Sequence, residues 1–204
     1  MRYRTSLAKT LSVALLTVHL TACMTSPTLS PEQRPAQWGQ LISAPNNFYQ
    51  MAPDLFRSEQ PSAELLPLLK QHEIDVVINL RSSNKDPAVF KQQSDIRLVH
   101  IPIQTWAISR EDLLVVMQEI QRAKTDHKKV LIHCYHGSDR TGASLAMYRI
   151  IFEQWSIEQA VQEMKHGGYG FHVIWRNINA LFSPENVKWI QQQLSNPSPS
   201  VHKS

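Results

Sequence analysis

The stretch from Val130 to Gly142 limits the possible folds of this chain more than any other part of its sequence. An apolar, β-branched run ends at His133 and Cys134, a short polar loop follows, and an amphipathic segment begins at Arg140. This pattern predicts a buried strand that delivers a cysteine to the N-terminus of a helix. The free N–H groups and the dipole at that end of a helix bind anions and favour a thiolate. Because Arg140 adds a rigid, permanently charged fork, the loop predicts a nucleophile beside a site for one tetrahedral oxyanion.

The rest of the chain alternates between patterns typical of strands and of helices. Its 204 residues suit a single domain with one core. We predict an α/β fold, with a small mixed central sheet of four to five strands flanked by helices on both faces. Ser62 and Ser109 are the expected N-caps of the first two helices. The predicted strands are 47–57 (two short strands), 74–80, 97–103 and 130–133, and the predicted helices are 62–72, 109–124, 139–153, 156–166, 172–182 and a segment after residue 184.

The first 22 residues differ in composition from the rest of the chain. Arg2, Arg4 and Lys9 precede a mostly apolar run at 11–20 that is too short to cross a bilayer. This is the layout of a secretory signal peptide. The formal net charge of the whole chain is +4; without those three bases, 18 basic and 17 acidic side chains remain and the net charge is +1. A nearly neutral mature chain gives no reason to expect a nucleic-acid partner.

The four residues Leu-Thr-Ala-Cys that end at Cys23 resemble the lipobox of bacterial lipoproteins. This resemblance implies cleavage before Cys23 and acylation of that residue, which would anchor the chain to a membrane. Since Met24 rather than an aspartate follows, the resemblance also implies the outer membrane, with the protein facing the periplasm. An ordinary signal peptide with an incidental Cys23 is the alternative. If Cys23 is lipidated, Cys134 has no disulfide partner, and a lone thiol in an oxidising compartment indicates a reactive residue.

Composition divides the chain into four parts. After the signal peptide at 1–22, residues 23–45 are rich in Ser, Thr, Pro and Gln and predict a flexible tether. Residues 46–194 contain the predicted strands and helices and form the expected catalytic domain, and 195–204 predict a frayed tail. We expect a monomer that needs no cofactor.

The segment His-Cys-x-x-Gly-x-x-Arg-Thr-Gly, from His133 to Gly142, resembles the signature of the cysteine-dependent protein tyrosine and dual-specificity phosphatases. The Asp-Arg-Thr-Gly ending resembles a bacterial subgroup of that family. The resemblance extends upstream, because Leu55–Pro61 and Val77–Arg81 are similar to the N-terminal half of bacterial and plant-fungal atypical dual-specificity phosphatases. A dual-specificity phosphatase-like fold and phosphomonoester hydrolysis through a phosphocysteine are therefore implied.

The resemblance also implies a role for each residue of the loop. Cys134 is the nucleophile, and Arg140 holds two phosphate oxygens and strengthens that hold in the transition state. His133 supports the loop from behind or is a structural histidine. Arg57 and Arg81 lie near strand ends, where they either add positive potential or are structural. The phosphate-binding positions are Tyr135, His136, Gly137, Ser138 and Thr141.

The general acid is the point at which this sequence departs from the family. Familiar members carry it about thirty residues before the cysteine, which corresponds to Gln104–Trp106, and no carboxylate is present there. Asp139, inside the loop, is the candidate that the bacterial subgroup implies. The alternatives are that Asp139 caps the helix or pairs with Arg140, and that the proton comes from Glu111, Asp112 or the substrate.

The sequence limits the identity of the substrate less than it limits the reaction. The variable loop positions carry no lysine, which disfavours polyphosphorylated inositols and lipids. We expect a phosphorylated protein or a small phosphoester. A phosphatase for a phospholipid or inositol phosphate, and a catalytically weak phosphate-binding or scaffolding lipoprotein, are the alternatives. The turn at 167–172 either lines the mouth of the site or simply joins two helices.

Two other kinds of site fit the sequence less well. Rhodaneses also place a cysteine in an anion-binding loop, but that loop is shorter and lacks Arg-Thr-Gly at this spacing. A metal or redox site on His133, Cys134 and His136 would crowd three ligands into four residues, which is poor geometry for tetrahedral zinc. We therefore expect no metal.

Overall fold

A computed structural model of the chain describes residues 25–196. The predicted signal peptide, Cys23 and the last eight residues lie outside this range. The described chain contains six strands and seven α-helices, which alternate between β3 and α4. The strands are β1 (Gln40–Ser43), β2 (Phe48–Ala52), β3 (Leu55–Ser58), β4 (Val76–Asn79), β5 (Arg97–His100) and β6 (Val130–His133); the helices are α1 (Leu66–Gln71), α2 (Asp86–Val89), α3 (Arg110–Thr125), α4 (Asp139–Phe152), α5 (Ile157–His166), α6 (Arg176–Ala180) and α7 (Pro184–Ser195).

All six strands form one mixed sheet in the order β1-β2-β3-β6-β4-β5. The first three strands pair antiparallel, and β3, β6, β4 and β5 pair parallel. The predicted α/β class, with a mixed central sheet, is confirmed. The sheet has six strands rather than four to five, because β1 lies in a segment that the sequence predicted to be a tether.

The β-branched runs form the buried centre of the sheet, as expected for parallel strands covered on both faces. Alternate residues along each strand face opposite sides. Val76, Ile78 and Ile132 pack into the larger core with helices α3, α4 and α7, whereas Val77 and Leu131 pack into a smaller core with α1. The central strand β6 is therefore fixed from both sides.

The register of the parallel strands determines where the signature loop begins. His133 is the last residue of β6 and lies level with Ser58 of β3 and Asn79 of β4. The carboxyl ends of these strands meet at one edge of the sheet, where α/β proteins commonly bind ligands. Cys134 therefore emerges at the middle of that edge.

The segment from residue 25 to residue 45 is packed on the domain, so the predicted flexible tether is wrong for these residues. Ser26 N–H donates to the Phe171 carbonyl at 2.8 Å, and Leu29 N–H donates to the His166 carbonyl at 3.1 Å. Trp38 is buried as well. This packing depends on main-chain hydrogen bonds and isolated side chains, which leave no apolar periodicity in the sequence.

Two helix boundaries also differ from the prediction. The first helix begins at Leu66 rather than after Ser62, and Pro67 lies in its first turn, where proline is tolerated. The helix predicted at 172–182 is reduced to Arg176–Ala180. By contrast, α3 has the predicted capping box, in which Ser109 accepts from the Asp112 N–H and Asp112 accepts from the Ser109 N–H. In residues 25–196, no helix is both long enough and apolar enough to cross a membrane.

Candidate active site

The loop from Cys134 to Ser138 joins β6 to α4 and is held against the end of β3. Gly137 has φ +69°, and a Cβ there would lie 2.3 Å from the carbonyl oxygen of Ser58. Its own carbonyl accepts a hydrogen bond from the guanidinium of Arg57, which is buried and lies 3.7 Å from the ring centre of Tyr169. Burial lowers the pKa of the Arg57 guanidinium, although the charges of neighbours such as Tyr169 and Glu163 act in the opposite direction. A buried cation and a glycine thus fix the path of the loop.

The main-chain N–H groups that follow Cys134 form the second part of the site. Cys134 is 3% exposed. Within residues 25–196, none of the N–H groups from Tyr135 to Arg140 donates a hydrogen bond to a protein acceptor. The hydroxyl of Thr141, at the start of α4, is also buried without a partner. Since buried polar groups are nearly always hydrogen-bonded, this set of donors is suited to an anion.

The side chain of Arg140 is fixed from the opposite side of the loop. Its Nη1 donates to the Leu80 carbonyl at 3.3 Å and to the Ile103 carbonyl at 3.1 Å. Its Nε is buried and has no partner among the described residues. The two carbonyls hold the guanidinium in place while part of its donor set stays available for an oxyanion.

His133 belongs to a polar network behind the loop. Its Nε2 lies 2.9 Å from the Oδ2 of Asp86, and its Nδ1 lies 3.1 Å from the Cys134 carbonyl. Asp86 also accepts from Gln60, whose own oxygen accepts from Arg81. Burial raises the pKa of the Asp86 carboxyl, but the hydrogen bond and charge of His133 outweigh it and lower that pKa. The network therefore fixes the ring that supports the Cys134 carbonyl.

Asp139 is buried at the first turn of α4 and is bound by His172. The His172 N–H donates to Oδ1 at 2.8 Å, and the ring Nδ1 lies 2.8 Å from Oδ2. In the described chain the carboxylate contacts His172 and forms no ion pair with Arg140. The predicted alternative of an Asp139–Arg140 pair is therefore wrong.

The other two carboxylates considered as proton donors are already bound elsewhere. Asp112 accepts from the N–H and the hydroxyl of Ser109 in the helix cap. Glu111 pairs with Arg110 at 3.0 Å. Desolvation raises the pKa of Glu111, but the hydrogen bond and charge of Arg110, together with hydrogen bonds to the helix N-terminus, outweigh it and lower that pKa, which disfavours the protonated form.

The turn at 167–172 is part of the site and not simply a helix connection. The Ser138 hydroxyl donates to the Tyr169 carbonyl at 2.8 Å, and the rings of His136 and His172 lie 5.9 Å apart. A cavity of about 460 Å³ beside the loop is lined by His136, Ser138, His172 and Thr25, among others. Tyr135 is exposed at the mouth, with the guanidinium of Arg81 4.9 Å from its ring centre.

Three residues that complete this site gave no signal that could identify their role. Asp86 and His172 lie far along the chain from the signature, and Tyr169 lies in the turn whose function the sequence left open. The position of Arg57 in a buried strand was the one available indication, because a charged residue there needs a partner. No group of three or more His, Cys, Asp or Glu side chains in residues 25–196 could hold a metal ion.

Comparison with known proteins gives the same assignment over most of the chain. The profile of the dual specificity phosphatase catalytic domain matches residues 55–181. The dual specificity protein phosphatase TpbA of Pseudomonas aeruginosa is 31% identical over 193 residues, which cover 95% of this chain and 85% of TpbA.

Solved structures of TpbA have the same fold. Its crystal structure gives a TM-score of 0.73 at 31% identity, covering 80% of this chain and 99% of TpbA. A cysteine-to-serine variant of TpbA in complex with phosphotyrosine gives a TM-score of 0.73 at 30% identity, with the same coverage. Because the profile spans more than half of this chain and TpbA is similar along nearly all of it, the chain belongs to the dual specificity phosphatase family and is a bacterial protein-tyrosine/dual-specificity phosphatase.

Proposed function

We propose that this phosphatase hydrolyses phosphotyrosine in proteins through a phosphocysteine on Cys134. The observation that carries the proposal is the set of unpartnered N–H groups from Tyr135 to Arg140 around a buried cysteine. Such preorganised donors stabilise the charge that develops on a transferring phosphoryl group. The complex of TpbA with phosphotyrosine supports an aromatic substrate, and the exposed ring of Tyr135 offers a surface on which such a substrate can stack.

In the first step the thiolate of Cys134 attacks phosphorus and forms the S–P bond while the bond to the tyrosine oxygen breaks. Arg140 and the loop N–H groups bind the three non-bridging oxygens throughout. In the second step a water attacks phosphorus and the S–P bond breaks, which releases phosphate and restores the thiolate. The unpartnered hydroxyl of Thr141 is suited to donate to the sulfur as it leaves.

Asp139 is the proposed proton donor to the leaving oxygen, and the proposed acceptor of the water proton in the second step. His172 contacts both carboxylate oxygens of Asp139, because its main-chain N–H donates to Oδ1 and its ring Nδ1 lies 2.8 Å from Oδ2. The engagement of Glu111 and Asp112 in other contacts supports this choice. The resemblance to the bacterial subgroup with Asp-Arg-Thr-Gly implies the same role for the loop aspartate.

The test is a panel of aryl phosphates with leaving groups of different pKa. Cys134→Ser is expected to abolish turnover, because the serine hydroxyl is a far weaker nucleophile. Asp139→Asn is expected to slow poor leaving groups by about 100-fold or more and good leaving groups much less. Glu111→Gln is the matched control and should behave as wild type. Equal losses across the panel for Asp139→Asn would remove Asp139 from the acid role, and a wild-type chain without turnover would refute the proposal as a whole.

We further propose that the mature chain is a monomeric lipoprotein of the outer membrane, facing the periplasm, with its lipid on Cys23. The lipobox-like sequence and the following Met24 support this. Incorporation of a fatty-acid analogue that Cys23→Ser abolishes, together with separation of inner and outer membranes, tests the anchor and the location. Size-exclusion chromatography with light scattering tests the oligomeric state.

A further inference from the structure

The mouth of the active site is surrounded by exposed apolar side chains. Six large apolar side chains are strongly exposed in residues 25–196, and four of them lie here. Single exposed apolar residues are ordinary, but a cluster around a functional site indicates a docking surface. These four residues, called the apolar rim below, are Trp106, Tyr135, Val173 and Ile174, which are 68%, 54%, 45% and 55% exposed.

Contacts between loops bring the rim together. Tyr135 lies in the signature loop and its ring packs against His136, which faces His172. Val173 and Ile174 follow His172 directly. The turn that carries Trp106 is tied to the next helix, because the Asn177 amide donates to the Thr105 carbonyl at 2.7 Å. The rim therefore extends from the signature loop to both neighbouring loops.

The N-terminal end of the described chain joins the domain at the same place. Thr25 forms an antiparallel bridge with His172, and the N–H of Ser26 donates to the Phe171 carbonyl. Thr25 also lines the cavity beside the signature loop. Thr25, two residues after Cys23, thus lies beside His172, which directly precedes Val173 and Ile174 in the chain.

Chain length then determines which face of the domain can reach a membrane. Cys23 precedes Thr25 by two residues, which span at most about 7 Å. A domain of this size has a radius of gyration of about 16 Å, so its far side is much farther from Thr25 than these two residues can reach. If Cys23 carries the lipid, only the face around Thr25 can lie against the bilayer.

We propose that the apolar rim docks on the lipid bilayer, so that the mouth of the active site faces the headgroups and acts on phosphoesters presented at the membrane surface. The inference rests on the lipid anchor proposed above. Trp and Tyr are the side chains that favour the membrane interface, and the exposed Arg176 beside the rim suits anionic headgroups. A tether of twenty residues would have let the domain turn freely, whereas packing of residues 25–45 on the domain fixes one orientation.

The first experiment measures the depth of labelled positions on vesicles. The acylated full chain, in a Cys134→Ser background, is reconstituted into phosphatidylethanolamine–phosphatidylglycerol vesicles with an environment-sensitive fluorophore at Ile174→Cys. The matched control is Thr125→Cys, exposed at the end of α3 near the opposite edge of the sheet. We expect a blue shift and quenching by brominated lipids at position 174, with neither at 125.

The experiment distinguishes a missing lipid anchor from a rim that does not dock. Mass spectrometry of the N-terminal peptide reports whether Cys23 is acylated, and an unmodified cysteine overturns both the anchor and the docking. An acylated protein whose label at 174 stays in water overturns the docking alone, as expected if the rim binds a protein partner instead. Hydrolysis of a soluble aryl phosphate, measured on the unlabelled chain, reports separately on the catalytic proposal.

The second experiment tests the class of substrate. A phosphotyrosine peptide coupled to a lipid in the same vesicles is compared with the free peptide. The double variant Val173→Ser/Ile174→Ser should keep its rate on the free peptide and lose much of the advantage for the lipid-coupled one. Leu41→Ser, at an exposed position in β1, should keep that advantage. An unchanged advantage in the double variant would refute a role for the rim in presenting the site to the membrane.

Discussion

Replacing Gly137 by alanine tests how the loop is held. The left-handed backbone at φ +69° costs an alanine about 1–2 kcal/mol. The added methyl would also lie 2.3 Å from the Ser58 carbonyl oxygen and 2.7 Å from the Glu59 nitrogen. These are main-chain atoms next to the central sheet, so the loop must move by about 1 Å to restore ordinary contact distances. Such a shift costs about 1–3 kcal/mol more.

The expected loss of stability is therefore about 2–5 kcal/mol, which is roughly 4–20 °C in Tm for a domain of this size. Turnover should fall about 100-fold, because a displacement of about 1 Å misaligns the N–H groups around the phosphoryl site. Thermal unfolding followed by circular dichroism and kcat on p-nitrophenyl phosphate measure the two effects on the same samples.

Gly168→Ala is the matched control. Gly168 has φ +82°, but a Cβ there meets only side-chain atoms: the methyl of Thr28 at 3.1 Å, Nη1 of Arg34 at 3.4 Å and the hydroxyl of Tyr49 at 3.7 Å. This variant should show the cost of the left-handed conformation alone, about 1–2 kcal/mol, with turnover close to wild type. If Gly137→Ala loses no more stability than Gly168→Ala and keeps its turnover, the steric argument about the loop is refuted.

Two further predictions concern buried charges. Buried Glu163 accepts two hydrogen bonds from Arg149, at 2.7 and 2.9 Å, and Glu163→Gln is expected to lower the free energy of unfolding in urea by about 3–5 kcal/mol. Glu153, the more exposed partner of the same arginine, is the control, and Glu153→Gln should lower it by less than about 1 kcal/mol. Equal losses would contradict the prediction. Because the pKa of Asp86 is lowered in the folded chain, its contribution to stability is present above the unfolded pKa of about 3.9 and is lost as the pH falls through the folded value. The difference in unfolding free energy between wild type and Asp86→Asn should therefore shrink from pH 7 to pH 3. A constant difference would show that the charge of Asp86 does not stabilise the fold through its contact with His133.

The signature loop could be predicted from sequence because its parts are contiguous. The β-branched run before Cys134 and the helical periodicity after Arg140 are local signals, and the strand, loop and helix lie where these signals place them. The capping box at Ser109 was predictable for the same reason, since its two partners are three residues apart. The absence of a carboxylate at Gln104–Trp106 is also a local feature, and it leaves Asp139 as the acid within the signature loop.

The tertiary structure decided which distant residues complete the site. Arg57, Asp86 and His172 reach the loop from 80, 47 and 33 residues away from their partners, and no local pattern records such contacts. The packing of residues 25–45 likewise leaves no sequence pattern, because main-chain hydrogen bonds to His166 and Phe171 need no apolar periodicity. Local sequence thus determined the loop between β6 and α4 that carries Cys134. Long-range packing determined what holds that loop in place and which face of the domain carries Thr25, because these depend on contacts that form only when the chain folds.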